Sequence, residues 1–289
     1  MLSQLIVSGI AIGALYGFLG LSIALIYKAT DVFNFAQGEM VMVMTFFAYT
    51  TLVMWGLPYP IGLLITLCFA ALFGFALERV IIRPVINAPP ITIIMISLAL
   101  FALFNYSARW IWFDETKNFP SPFSETPIDL LGVVLTPVNL GVIVIACLLG
   151  VGLYLFFKYT KIGLLMRATA DDKFTARLVG INVGNVFSMT WVLASVLGAV
   201  TGFLLAPITF LGPQMMADPL LRALAGGVIG GFTNLPGVVI GGVILGILEN
   251  LVGYYISSAF KGSLPFIVII VFLFFRPTGL FGEKMEKKV

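Results

Sequence analysis

Apolar residues run along this chain in long unbroken stretches, and polar residues gather in short clusters between them. A helix needs about twenty apolar residues to cross the hydrocarbon core of a bilayer. Such runs fall at residues 4–27, 38–56, 60–82, 91–113, 137–158, 185–207, 238–258 and 263–275. The last is short, which fits a helix held within a bundle or tilted little. A further apolar piece, 222–233, runs into NLPG at 234–237, where Pro236 is expected to interrupt helical hydrogen bonding. The pattern predicts an all-α integral membrane protein, a polytopic bundle of about eight transmembrane helices with a re-entrant or broken segment. All of 1–289 is expected to form a single transmembrane domain.

Composition agrees with the pattern. The chain is 60% hydrophobic and 10% charged, where soluble domains carry about 25% charged residues. The opening MLSQLIVSGIAIGALYGFLGLSIALIYK lacks a basic leader and a small-residue cleavage site, so it reads as a retained helix. Cys68 and Cys147 both lie inside apolar runs, where small apolar filler is the simplest reading. There is no histidine. That removes the commonest metal ligand, the Ser-His-Asp arrangement and any histidine proton relay, and no metal or catalytic site is expected.

Basic residues set the orientation. With the N-terminus outside, Lys28, Arg79, Arg83, Lys158, Lys161, Arg167, Lys173, Arg177, Arg276, Lys284, Lys287 and Lys288 fall inside, 12 of the 16 lysines and arginines. Arg109, Lys117 and Lys261 fall outside, and Arg222 is not assigned. The positive-inside rule therefore selects N-out, C-in, with a cytoplasmic tail at 276–289. The net charge of +3 reflects this asymmetry and not a nucleic-acid surface. The external loop 114–136 carries Asp114, Glu115, Glu125 and Asp129 and is broken by Pro120, Pro122 and Pro127. It reads either as a docking loop for an external protein or as a plain solvated connection.

The most polar internal stretch is RATADDKFTARLVGINVG at 167–184, within an inner region spanning 159–184. Phe174, Leu178 and Ile181 repeat with helical spacing and form one apolar stripe. Thr169 and Asp172 resemble a capping box, Asp171 and Asp172 favour the positive end of a helix dipole, and Gly180 is a natural stop. A helix of about ten residues, roughly 15 Å long, is expected around Asp171–Val179. It would either rest on the membrane surface or fit a groove on a soluble partner. The chain contains no P-loop motif, so ATP-driven transport would require another subunit to bind nucleotide.

This stretch resembles the cytoplasmic coupling region of permeases in ABC importers of branched-chain amino acids, the LivH type. VFNFAQGEM at 32–40, the glycine-rich region ending GGVILGILEN at 241–250, and RPTGLFG at 276–282 carry the same resemblance, in order along nearly the whole chain. The family is located in the bacterial inner membrane. The resemblance implies a second permease subunit (a LivM-type partner), two cytoplasmic ATP-binding subunits that hold ATP and Mg, and a periplasmic solute-binding protein. No cofactor is implied in this chain. It also implies a coupling role for Arg167, Ala168, Asp171, Asp172, Phe174, Ala176, Leu178, Gly180 and Ile181, with alternating access as the mechanism. Permeases for urea or short amides share these segments. An ion-coupled secondary carrier and a channel-like pore are the alternatives from other classes.

Residues 31–40, DVFNFAQGEM, follow the first run without a full soluble loop. Irregular backbone at membrane depth survives only when packed in protein or lining a watery cavity. The segment is either a short connector before a helix or a partly unwound stretch lining the translocation path. On the second reading Asn34, Phe35, Gln37, Gly38 and Glu39 line the path, and Glu39 faces a substrate ammonium. In 225–246, Gly226/Gly230, Gly237/Gly241 and Gly242/Gly246 are spaced by four, which lets helices approach closely in lipid. Glu249, inside an apolar run, reads as holding helices together. Glu78 and Arg79 are expected to anchor an inner helix end or pair locally.

Overall fold

The computed structural model describes residues 2–86, 88–123, 126, 128–130 and 133–282. Among them, eleven α-helices carry the architecture: α1 (Leu2–Thr30), α2 (Gln37–Tyr49), α3 (Tyr59–Leu77), α4 (Pro90–Trp112), α5 (Pro137–Tyr159), α6 (Lys161–Asp171), α7 (Lys173–Leu178), α8 (Val183–Thr209), α9 (Ala217–Gly230), α10 (Leu235–Tyr255) and α11 (Leu264–Phe275). Prolines mark the starts. Pro60, Pro90, Pro236 and Pro265 sit in the first turn of α3, α4, α10 and α11, where a missing N–H removes no helical bond. This corrects the expectation for Pro236, which begins a helix and does not interrupt one. The break lies before it, at 231–234, where Gly231 takes φ +92° and Asn234 caps α10 by accepting from the Gly237 N–H.

Among the described residues, six helices are long and apolar enough to cross a membrane: α1, α3 with its continuation to Val85, α4, α5, α8 and α10. The other two expected spans are also helical. α2 continues as a π-helical turn, Thr50–Met54, but opens on the polar Gln37, Gly38 and Glu39, and α11 has only 12 residues. A second π-helical turn, Glu78–Ile82, extends α3. The loop 114–136 holds a short antiparallel pair, β1 (Ile128–Leu130) and β2 (Val133–Leu135), with Asp129 opposite Val134. The polar composition of that loop gave no sign of it. Glu125, Pro127, Lys284, Lys287 and Lys288, named above, lie outside the described residues.

α4 shows why a bilayer is the solvent. Its buried positions, Ile93, Ser97, Leu100, Phe104 and Ala108, form one stripe at helical spacing. Its other faces expose Met95, Leu98, Phe101, Leu103, Tyr106 and Trp110. Soluble proteins do not leave a contiguous apolar face of that extent in water.

The chain divides into two compact units. One comprises Met1–Ala24, Ser121–Ala146 and Ala217–Val289, the other Leu25–Pro120 and Cys147–Met216. The first is built on backbone contact. Ala225, Ile229, Leu245 and Val268 form its apolar centre across α9, α10 and α11. The RPTGLFG turn closes it: Leu280 N–H donates to the Ile229 carbonyl (2.7 Å) and Phe281 N–H to the Gly230 carbonyl (3.1 Å). Gly279, at φ +77°, lies so close to Gly231 that a Cβ there would meet its backbone nitrogen at 2.5 Å.

The second unit packs α2, α3, α4 and α8. α8 is its axis, with Trp191, Ala194, Leu197, Leu204 and Leu205 buried. Gly198 and Gly202 let α2 approach: a Cβ on Gly202 would meet Thr45 Oγ1 at 2.2 Å. Cys68 and Cys147 are free and exposed on their helices.

Candidate coupling surface and transport path

The polar inner stretch forms two short helices, not one. Asp172, with φ −155° and ψ 108°, ends α6 and begins α7. Its carboxylate accepts from Phe174 N–H (2.9 Å), Thr175 N–H (3.3 Å) and the Thr175 hydroxyl (2.7 Å). Asp172 is therefore the N-cap itself. The expected capping box at Thr169 is incorrect, because Thr169 is buried within α6. Asp171 ends α6 instead of opening a helix, and Ile181 lies beyond α7. Gly180 stops α7 at φ +84°, as its position suggested.

This geometry sorts the candidate coupling residues. Ala176 and Ile181 turn inward and pack with Ala29 and with Val183 and Phe187 at the start of α8. Arg167, Asp171 and Gly180 face outward. So do Phe174 and Leu178, each 71% exposed. Ala168 is half-buried. The predicted stripe is thus split: Ile181 anchors, while Phe174 and Leu178 remain unpartnered apolar side chains beside charges.

Two contacts fasten the region. Lys173 pairs with Asp31, at the head of the 31–40 segment. Asp31 takes φ +60°, which aspartate tolerates better than most residues. The second contact holds the start of α8. Arg83 reaches Glu78 through two bonds (3.0 and 3.1 Å) and donates to the Gly184 carbonyl (2.6 Å), while the Ser188 hydroxyl donates to Glu78 (2.7 Å). Glu78 thus pairs with Arg83, five residues on, and is fully buried.

Residues 31–36 are non-helical between α1 and α2. Asn34, Gln37, Gly38 and Glu39 are buried, whereas Phe35 is exposed. The Asn34 amide donates to Gln37 Oε1 (3.3 Å), its oxygen accepts from Ala36 N–H (3.1 Å), and Gln37 donates to the Ala194 carbonyl (3.5 Å). Both amides therefore shape the connector. Gln37 thereby reaches α8, and Glu39 reaches α4, accepting from Asn105 at 3.1 Å.

The glycines singled out in sequence lie at backbone contacts in the first unit. A Cβ on Gly226 would meet Gly242 Cα at 2.7 Å, one on Gly230 the Gly237 carbonyl at 2.0 Å, and one on Gly241 the Gly226 carbonyl at 2.1 Å. On the other side of α10, Gly242 and Gly246 meet Gly17 and Gly13 of α1, at 2.3 and 2.5 Å by the same measure. Glu249 pairs with Arg222 of α9 at 2.7 Å.

The family model for the permease component of the branched-chain amino acid transport system matches residues 5–273. The chain belongs to this family. Among curated relatives, the permease is 29% identical to the high-affinity branched-chain amino acid transport system permease protein BraD of Pseudomonas aeruginosa, over 99% of this chain and 97% of that one. It is 26% identical to the corresponding LivH of Escherichia coli K12, with the same coverage of each chain. It is 28% identical to a probable LivH of Methanocaldococcus jannaschii, over 93% and 89%. Its fold is similar to PsaBC from Streptococcus pneumoniae, solved in complex with Fab, at a TM-score of 0.51 and 15% identity, covering 96% of this chain and 92% of that one.

Sequence reasoning about the permease missed Asn105, Ser188, the pairing of Asp31 with Lys173 and the Gly9/Gly13/Gly17 series. Asn105 and Gly9/Gly13/Gly17 were legible. An asparagine inside an apolar run needs a partner, and glycines spaced by four mark close helix approach. The reach of Lys173 to Asp31 and of Ser188 to Glu78 spans 142 and 110 residues of chain, and no local pattern encodes it.

Proposed function

We propose that this chain is the transmembrane permease subunit of an ATP-driven importer of branched-chain, hydrophobic amino acids, working by alternating access. It sits in the bacterial inner membrane with its N-terminus outside and its C-terminus in the cytoplasm. It pairs with a second, LivM-type permease, and the two enclose the path. Two cytoplasmic subunits bind ATP and Mg, and a periplasmic protein delivers solute. No covalent chemistry occurs in this chain.

The observation that carries the reading is α7, a capped helix that buries Ala176 while leaving Phe174 and Leu178 exposed near the charged Asp171, Lys173 and Arg177 in sequence. An apolar pair rimmed by charge suits a groove on a soluble protein. The lack of a P-loop motif in the sequence supports the reading that the partner binds the nucleotide. Closure of the ATP-binding subunits moves α6 and α7, and differential contact with the two states shifts the path from one side to the other.

Reconstitution in proteoliposomes tests this. With all partners present, leucine uptake is expected to require ATP and loaded binding protein. Uptake by this chain alone on an ion gradient, or ATP-independent flux that saturates weakly, would contradict the reading.

A further inference from the structure

Asn105 is held on three sides. Its amide nitrogen donates to Glu39 Oε2 (3.1 Å) and to the Pro213 carbonyl (2.9 Å), and its oxygen accepts from Arg109 Nε (2.9 Å). Arg109 continues to Asp114 beyond the end of α4. The amide fits only this way round, because flipping it would set its oxygen against a carboxylate and a carbonyl. Glu39 is 95% buried, at 5% exposure, whereas the Arg109 side chain is 28% exposed. A buried carboxylate one amide away from a partly open guanidinium is more than α2 and α4 need to pack, since apolar contact alone would join them.

The arrangement has the polarity of an amino-acid head group. Two acceptors, Glu39 and the Pro213 carbonyl, surround the amide nitrogen as they would an ammonium. One guanidinium faces the amide oxygen as it would a carboxylate. We propose that Glu39, the Pro213 carbonyl and Arg109 form a station for the α-ammonium and α-carboxylate of a passing zwitterion, and that the Asn105 amide fills this station between passages. The station recognises the head group that all α-amino acids share. It makes no contact with the apolar side chain, so it discriminates zwitterions from amines, acids and neutral amides. The proposal rests on the amino-acid reading of the transport function.

The test uses the complete importer. Without binding protein, the Asn105→Ala assembly is expected to bind free leucine roughly ten-fold more tightly than the natural one, the worth of about one hydrogen bond to a charged group. Neither 3-methylbutylamine nor 4-methylpentanoate should compete, since each lacks one of the two charges. Glu39→Gln keeps a hydrogen-bond acceptor for Asn105 but removes the charge. It is expected to lower leucine uptake per ATP about ten-fold with loaded binding protein, a change that a purely structural staple would not produce. If Asn105→Ala does not assemble, Glu39→Gln still decides. Unchanged uptake per ATP in Glu39→Gln, or equal competition by either analogue, would overturn the station. A natural assembly that moves no leucine at all would instead remove the substrate reading, and the station with it.

Discussion

Inside each unit the balance of contacts differs: the first leans on glycines, with a buried ion pair, Arg222–Glu249, and the second leans on polar links, with Gly198 and Gly202 admitting α2. In the first, α9, α10 and the start of α1 meet through glycines, backbone against backbone. In the second, α3 and α8 are joined by the Glu78–Arg83–Ser188 cluster and α2 and α4 by Glu39 and Asn105. Glycine contact is short-ranged and has no slack, because any side chain displaces a helix. A polar link spans more distance and can break and reform, at the risk of leaving a buried charge unpaired. The difference separates a part suited to staying fixed from a part suited to changing partners. The proposed coupling helix and the proposed amino-acid station both lie in the second.

The comparison breaks most visibly at Gly242. A Cβ there would meet Gly17 N at 2.3 Å and the Gly13 carbonyl at 2.9 Å, both backbone atoms. Gly242→Leu is expected to cost at least about 3 kcal/mol, read as loss of the monodisperse species in detergent. An equal yield and melting temperature would show that the glycine contact has slack after all. Next is Arg83→Ala, which leaves Glu78 buried beside Ser188 alone. A drop of roughly 3 kcal/mol is expected, and the double change Glu78→Leu with Arg83→Leu should recover most of it in thermal unfolding.

Smaller still is Asp172→Ala, which removes the cap from a six-residue surface helix. About 1 kcal/mol of local stability is lost. Faster hydrogen exchange at 173–178 is expected with global melting unchanged, while ATP-driven uptake falls. Asp172→Asn should retain both, since asparagine also caps. Reversing the charge of Asp171 alone leaves the cap intact and isolates electrostatic docking from helix integrity. The smallest effect is at Asp31 and Lys173. Asp31 is 78% exposed, and such pairs contribute about 0–1 kcal/mol. A double-mutant cycle with Asp31→Asn and Lys173→Gln should show little coupling in stability. Non-additivity in uptake would sharpen the view that this pair links α7 to the 31–40 segment.

Much of this was legible in the sequence because the bilayer enforces long patterns. Apolar runs located the helices, whereas Pro236 was read as a break and instead sits in the first turn of α10, behind the Asn234 cap. The boundary within 159–184 was misread because two strong local cues competed. Asp171 and Asp172 both suit a helix start, and only the backbone decides that Asp172 caps while Asp171 terminates. Glu39 stood out as a charge in an apolar setting, but its partners could not be read. Asn105 lies 66 residues away in sequence and Pro213 contributes only a carbonyl, which every residue has. The RPTGLFG turn was noticed for its pattern, and its physical reason, closing the break after α9, needed the fold.

The central claim is that force enters through α7. A photo-crosslinking residue placed at Phe174 or at Leu178 in the assembled importer tests it directly. The account predicts a crosslink from both positions to an ATP-binding subunit, with an efficiency that changes between nucleotide-free and ATP-bound states. Crosslinks only to lipid, or labelling of these positions from the outer face of intact cells, would contradict it.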